Sequence, residues 1–199
     1  MISNKPTHQQ EKDLIDTVSK NPNITFILDN QFFPQHIPWY LGAGAISQTV
    51  WNQLSGNKLT DNIKDYDLIY YDPSDISYEA EDVYIQKGKN IFKSLSAEVE
   101  IRNQARVHLW FESKFGCKIS PLKSCEDAIN GWPTTATTVG INKINNTINI
   151  YAPYGLNDLF GMVVRPNKQS IIEKEVYENK VNKWTQSWPN LKVIPWEKT

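Results

Sequence analysis

Asp65 and Asp67 are the residues whose type and spacing point most directly to chemistry. They sit in Lys64-Asp65-Tyr66-Asp67-Leu68-Ile69-Tyr70-Tyr71-Asp72, a run rich in β-branched and aromatic residues that reads as a strand closed by Asp72-Pro73. Side chains alternate along a strand, so both carboxylates face one way. Like charges held this close repel one another, and a cation between them removes the cost. Hard oxygen ligands suit Mg²⁺ or Mn²⁺, with substrate phosphates completing the shell. A third carboxylate on a neighbouring strand would complete a two-metal arrangement for in-line displacement at phosphorus. The stretch Ala97 to Ile101 reads as such a strand, with Ala97, Val99 and Ile101 on one face and Glu98 and Glu100 on the other. Glu100 is the candidate ligand and Glu98 the reserve. The opposing reading puts Asp65 and Asp67 on the solvated face of an amphipathic strand, because a bare Asp-x-Asp recurs by chance.

These carboxylates need elements to position them. Upstream, Trp39-Tyr40-Leu41 reads as a short buried strand, followed by Gly42-Ala43-Gly44-Ala45. Ile46 to Leu54 then reads as a helix ending at Gly56, with Ile46, Val50 and Leu54 on one face. A strand, a small-residue turn and a helix form a place where backbone N–H groups face an anion. Ahead of it, His8 to Ser19 has a helical stripe of Leu14, Ile15 and Val18, broken by Asn21-Pro22-Asn23, and a second helical stretch runs from about Ile24 to Asn30. Pro34 and Pro38 mark an irregular connection.

Downstream, Ser77 to Leu95 is helical, and Asn103 to Phe115 is a helix with Asn103 as N-cap, stopped by Gly116. Cys125 to Asn130 is a short helix, and Thr137 to Asn142 pairs with Thr147 to Tyr151 around an Asn145-Asn146 turn. Gly155 to Gly161 forms a short helix capped by Asn157 or Asp158. Ile171 to Trp184 forms a longer one, followed by a tail from Trp188 to Trp196. The alternation of strands and helices predicts an α/β (α+β) fold with a mixed central sheet flanked by helices. Residues 1–199 read as one domain, with 1–37 a helical lead-in and 170–199 a helix and tail packed onto it.

Composition sets the outer bounds. The 199 residues carry 21 basic and 22 acidic side chains, a net charge of −1, which leaves no electrostatic footprint for bulk nucleic-acid binding. The hydrophobic share of 40% and seven Trp are enough for a sizeable core. No segment reaches the roughly 18 apolar residues of a membrane span. Met1 to Lys20 lacks the apolar run of a signal peptide, so the chain reads as cytoplasmic. Cys117 and Cys125 match no zinc or redox spacing and read as reduced thiols.

Leu41-Gly42-Ala43-Gly44-Ala45-Ile46-Ser47, followed after a helix by Asp65-Tyr66-Asp67, resembles the DNA polymerase β-like nucleotidyltransferase superfamily, with its hG[GS] turn, helix and Asp-h-Asp strand. More narrowly, the chain is similar to a bacterial nucleotidyltransferase-like family of uncharacterised proteins. That likeness rests on Val50-Trp51, Glu100-Ile101-Arg102-Asn103-Gln104-Ala105-Arg106-Val107-His108, Ala128-Ile129, Trp132-Pro133, Ala136-Thr137 and Ala152-Pro153-Tyr154-Gly155-Leu156-Asn157-Asp158-Leu159-Phe160. Two departures stand out: Ser47 lies where the family usually has Arg, and the stretch from Gly44 to Asp65 is longer than usual.

The resemblance implies a nucleotidyltransferase-type sheet and a metal-dependent transfer of a nucleoside monophosphate from a nucleoside triphosphate. Asp65 and Asp67 would bridge the metals, and Glu100 would bind the second and orient or deprotonate the attacking hydroxyl. Gly42, Gly44 and Ser47 would hold the β- and γ-phosphates, with Arg102 and Arg106 nearby as bidentate phosphate partners. For Arg106 a structural pairing with Asp65, Asp67 or a helix end stands equally open. His108 reads as a hydrogen-bonded structural residue or a proton shuttle. Tyr154 reads as core packing or a base-stacking surface, and Thr134, Thr135, Thr137 and Thr138 as a β-prone polar stretch. A small molecule or a protein side chain is the expected acceptor. The competing reading is a nucleotide-binding or interaction module that keeps the fold without turnover. A metal-dependent phosphoesterase using the same carboxylates is weaker, because it lacks further His and Asp ligands.

Overall fold

The computed structural model describes residues 7–196. The outermost parts of the 1–37 and 170–199 ranges therefore lie outside the described residues. Helix α1 (Thr7–Val18) buries Leu14 and Val18, and α2 (Pro22–Asp29) buries Ile24, Ile27 and Leu28. The Asn21-Pro22-Asn23 break is itself the start of α2. Asn21 is fully buried and its side chain accepts from the backbone N–H groups of Asn23 and Ile24, with Pro22 in the first turn, where a missing N–H costs nothing.

Strand β1 (Trp39–Gly42) leads into α3 (Gly44–Ser55), which starts two residues earlier than its apolar stripe suggests and ends on Gly56 in the left-handed conformation. Strand β2 (Asp65–Tyr70), helix α4 (Tyr78–Ile91) and strand β3 (Glu98–Asn103) form a βαβ unit with β2 and β3 parallel. The expected helix from 103 to 115 is split. Asn103 ends β3 and caps a 3-10 turn (Gln104–Leu109), and Trp110 leaves helical geometry before α5 (Phe111–Phe115). Helix α6 (Cys125–Asn130) is capped by Ser124. The stretch expected to open the hairpin strand is instead a 3-10 turn at Thr135–Thr137, because the Thr134 side chain accepts from Thr137 N–H and its carbonyl accepts the Thr138 hydroxyl at 2.7 Å. The hairpin follows as β4 (Gly140–Ile144) and β5 (Thr147–Tyr151), turned by Asn145 and Asn146, both at positive φ. Helix α7 (Asn157–Phe160) has no side-chain cap; the Asn157 carboxamide instead accepts from Gln10 of α1 at 2.7 Å. Strand β6 (Val163–Val164) pairs parallel with β7 (Lys192–Val193) across α8 (Lys174–Ser187).

The main sheet has the order β3-β2-β1-β4-β5, mixed in direction, with β3 at one edge. One face carries Tyr66, Leu68, Tyr70, Leu41 and Ile141 into the main core with α1, α2, α3 and α8. Each fully buried aliphatic or aromatic side chain there contributes about 1.5–3 kcal/mol. The other face carries Ile69 against Cys125, Ala128 and Ile129 of α6, and it covers only part of the sheet. The carboxylates lie on this second face.

The long stretch between α3 and β2 is held in place by side-chain amides. Asn52 of α3 is fully buried and donates to the carbonyls of Asp61 (2.6 Å) and Leu59 (3.3 Å). Asn21 donates to the same Leu59 carbonyl at 3.1 Å. Trp188 donates its indole N–H to Asn52 Oδ1 at 2.8 Å, and its ring meets Trp51 edge-on at 5.6 Å. The tail thus sets the amide that sets the loop delivering Asp65. Among the described residues no helix is long and apolar enough to cross a membrane, and both cysteines are free.

Candidate active site

Register places the candidate residues in one row across the sheet. Glu100 of β3 is the direct partner of Asp67 of β2, Asp67 of Gly42 of β1, Gly42 of Gly140 of β4, and Gly140 of Tyr151 of β5. Asp65 partners Glu98 one pair away, and Arg102 partners Ile69 on the opposite side. Alternation therefore puts Asp65, Asp67, Glu98, Glu100 and Arg102 on one face, as the sequence pattern requires.

The two glycines in that row leave space that other residues fill. A Cβ on Gly42 would meet the Trp132 ring at 2.4 Å and the Val139 carbonyl at 3.0 Å, and one on Gly140 would meet Ile129 at 2.7 Å. Trp132, half-buried, thus puts the benzo edge of its ring against the backbone of Gly42, the strand partner of Asp67. Its loop is anchored by fully buried Asn167, whose amide donates to the carbonyls of Asn130 (2.7 Å) and Trp132 (2.8 Å). Tyr154 donates to Asn167 Oδ1 at 2.7 Å, so its hydroxyl belongs to this anchor.

Asp67 stands in surroundings that oppose its charge. Burial, then the neighbouring Asp65 and Glu100 carboxylates, push its pKa up to about 7, against weaker pull from Lys180 and Arg102. Asp65 and Glu98 are exposed and Glu100 is partly covered, with Arg102 Nη2 at 3.7 Å from Glu100 Oε2. Among the described residues, no three His, Cys, Asp or Glu side chains are gathered tightly enough to hold a metal ion as they stand. Lys180, on the exposed side of α8 with its ammonium over the Trp184 ring, is a cation that sequence reasoning missed. No local pattern marks it, since its proximity to Asp67 arises from α8 docking on α3 through Trp184 and Trp51.

The turn after β1 is strained. Ala43 has φ 55° and ψ −130°, a region in which Gly is at ease and Ala is not, and its N–H donates to the Val139 carbonyl at 3.1 Å. No side chain caps the start of α3, so the N–H donors of its first turn, beginning at Gly44, are available to an anion. Ser47 departs from expectation. It is fully buried, and its hydroxyl is turned onto the carbonyls of Ala43 (3.3 Å) and Gly44 (3.2 Å), as helix-interior serines turn when no other acceptor is near.

Arg106 is likewise not brought to the carboxylates. It lies past the far end of β3, where Nη1 meets Glu81 Oε2 at 2.6 Å and Nε donates to the Ile76 carbonyl at 3.2 Å. Glu81, with its side chain 3% exposed, also accepts from Asn103 N–H at 2.7 Å, so a buried charge claims the guanidinium. The pairing is structural, with a glutamate of α4 in place of the aspartates or helix end expected. His108 sits in the same 3-10 turn, away from the carboxylates, and its Nδ1 is buried with no hydrogen-bond partner among the described residues. Thr134, Thr137 and Thr138 bond within their own turn, while Thr135 donates to Asp158, which also holds Arg165 at 3.0 Å.

The arrangement is a carboxylate strand beside a glycine turn and an uncapped helix start. Among solved structures, the chain is similar to one described as a CCA-adding enzyme head domain, studied by NMR. The two share 25% identity with a TM-score of 0.75, over 98% of this chain and 97% of that one. A tRNA-processing enzyme in an apo form aligns at 18% identity and a TM-score of 0.42, over 79% of this chain and 42% of that one. No curated protein matches the sequence. A nucleotidyltransferase family model matches residues 35–193, a span that takes in the turn, α3 and both carboxylate strands as one block, and the chain therefore belongs to this nucleotidyltransferase family.

Proposed function

We propose that the protein transfers a nucleoside monophosphate from a nucleoside triphosphate to an acceptor hydroxyl, with Mg²⁺ or Mn²⁺ held by Asp65, Asp67 and Glu100. The observation that carries this reading is Asp67, a carboxyl raised to about 7 between like-charged neighbours and in register with the glycine turn. A carboxylate kept for stability is normally given a cationic partner; here the strongest neighbours are anionic, a cost that a cation from solution removes. Three hard oxygen donors on one face fit such an ion in kind, and substrate phosphates complete its shell. The bound ion supplies neutralisation of phosphoryl charge.

The chain's own residues do the rest in this reading. The free N–H groups of the first turn of α3, beginning at Gly44, bind the β- and γ-phosphates, with Gly42 allowing close approach. Arg102 counters charge developing on the leaving pyrophosphate, and Glu100, outermost in the row, takes the proton of the attacking hydroxyl. The chain works as one unit, with its N-terminal helices and C-terminal helix bracing the sheet. Its free thiols suit the reducing cytoplasm.

A competing reading, nucleotide binding without turnover, draws on the carboxylates' not being gathered. One experiment separates the two. The protein is incubated with each labelled nucleoside triphosphate, Mg²⁺ or Mn²⁺ and cell extract, beside Asp65→Ala/Asp67→Ala. Pyrophosphate release lost in the variant supports transfer. Binding without release supports the competing reading, and failure of every triphosphate to bind the wild type with metal present sinks both.

A further inference from the structure

Lys180 of α8 is a cation to which the fold assigns no acid. It is exposed and forms no ion pair among the described residues, and its ammonium stands 5.8 Å from the centre of the Trp184 ring. A cation–π hold at an exposed site is weak, so a phosphate can draw the ammonium off the ring. Packing directs this lysine to one end of α3. Trp188 donates to Asn52 of α3, and Trp184 meets Trp51 edge-on at 5.6 Å. Lys180 comes one turn before Trp184, and its charge reaches the Asp67 carboxyl, where it pulls the pKa down against burial. The ammonium therefore lies toward the Gly44 end of α3 and away from Gly56. That end belongs to the candidate active site. Gly42 is the strand partner of Asp67, and Gly44 then opens α3 with no side chain capping its first turn. The other polar groups expected at this place are engaged elsewhere. Ser47 turns its hydroxyl onto the Ala43 and Gly44 carbonyls, and Arg106 is held by Glu81. Arg102 stands on the β3 side of the row, beside Glu100.

We propose that Lys180 binds the terminal phosphate of the nucleoside triphosphate, so that the C-terminal helix completes the triphosphate site at the start of α3. The proposal rests on the nucleotidyl-transfer reading above. Helix-start N–H groups supply only partial positive charge, and a triphosphate holding one divalent ion still carries net negative charge. A full charge from a side chain answers that need. Lysine suits it as a point charge on a flexible stem, since a terminal phosphate is met from many directions and needs no planar fork. The ammonium leaves the Trp184 ring for the phosphate oxygens, and the stem stays on the indole. Lys180 thus holds the leaving group and discriminates triphosphates from monophosphates, which do not extend to the start of α3.

The test is a ¹H–¹⁵N NMR titration of the full chain in Mg²⁺, following the amides of 42–47 with each common ribonucleoside triphosphate and with its monophosphate. Lys180→Ala should weaken the best-bound triphosphate about tenfold, the loss of one charge-assisted contact, and leave its monophosphate unchanged. Lys180→Met keeps the stem over the Trp184 ring and should lose as much. Lys180→Arg should recover most of the affinity. Lys183→Ala removes an equal charge from the same helix and should bind as the wild type does. The proposal is overturned if Lys180→Ala keeps wild-type triphosphate affinity, if it loses monophosphate and triphosphate alike, or if Lys183→Ala loses as much. A wild type that binds no triphosphate refutes the transfer reading and this proposal with it. Triphosphate binding that survives Lys180→Ala refutes this proposal alone. Lys180 is exposed, and an unchanged thermal midpoint shows that each variant is folded.

Discussion

Asp67 brings an ordinary carboxyl into surroundings that oppose its charge, so the folded chain holds that proton more tightly than the unfolded chain does. With the folded pKa at about 7 and that of an ordinary aspartate at 3.8, the native state binds more protons throughout that window, and stability falls as pH rises across it. The metal-free protein should lose about 2–3 kcal/mol from this group between pH 5 and 8, since the proton difference spans about two pH units at roughly 1.4 kcal/mol each. Urea unfolding in chelator at the two pH values checks this. Asp67→Asn should remove most of the loss, and millimolar Mg²⁺ should restore stability at pH 8 in the wild type alone. An equal loss in the variant would refute the assignment. Arg106 makes the opposite case. Removing it leaves Glu81 buried without its cation, so Arg106→Ala should cost about 3–5 kcal/mol while leaving triphosphate affinity of the folded protein unchanged by isothermal calorimetry. The strand spacing makes Asp65, Asp67 and Glu100 legible in sequence because alternation along a strand is local. The Arg106 partner was not legible, because Glu81 lies on a different helix and is met only once α4 packs on β3.

The turn between β1 and α3 combines a glycine that is required with an alanine that is strained. Gly42→Ala would drive a methyl into the Trp132 ring and the Val139 carbonyl, and should destabilise by about 1–3 kcal/mol. Ala43→Gly should do the reverse, relieving the positive φ for a gain of about 1 kcal/mol after the extra unfolded-state entropy of glycine. Thermal midpoints of the pair check both signs, and a drop for Ala43→Gly would show that the strain is not stored there. Periodicity made most elements visible: the stripe of α3, the alternation in β2 and β3, and the Asn145-Asn146 hairpin. It failed where side chains override propensity. The threonines of 134–138 have strand preference, yet their hydroxyls close a 3-10 turn. Asn103 caps within two residues and leaves a 3-10 turn where a continuous helix was expected. The two-residue strands β6 and β7 are too short to carry any pattern.

Across the whole molecule, the C-terminal segment reaches the loop before Asp65 through one chain of buried contacts. Trp188 is 2% exposed, packs on Trp51 and donates to Asn52, which in turn holds the loop leading to Asp65. Trp188→Ala should cost about 3–5 kcal/mol. Trp188→Phe keeps most of the packing and loses the hydrogen bond, so it should lower turnover more than its milder effect on the thermal midpoint explains. Pyrophosphate release at a temperature where both proteins are folded checks this. Such coupling between the last helix and a loop far upstream in the chain has no signature in sequence, since each contact is specified by three-dimensional packing of amides and indoles.

The ring of Trp132 resting on Gly42 gives this protein a built-in optical reporter. Indole emission responds to charge and protonation close by, and the residue in register with Gly42 is Asp67. Neutralising or deprotonating that carboxyl should shift the intrinsic emission, and subtracting the spectrum of Trp132→Phe isolates the signal from the other tryptophans. Arrival of a cation or a triphosphate can then be followed without a label, before any acceptor is named. A Trp132 contribution that stays flat from pH 5 to 8 in chelator would place the titrating group elsewhere.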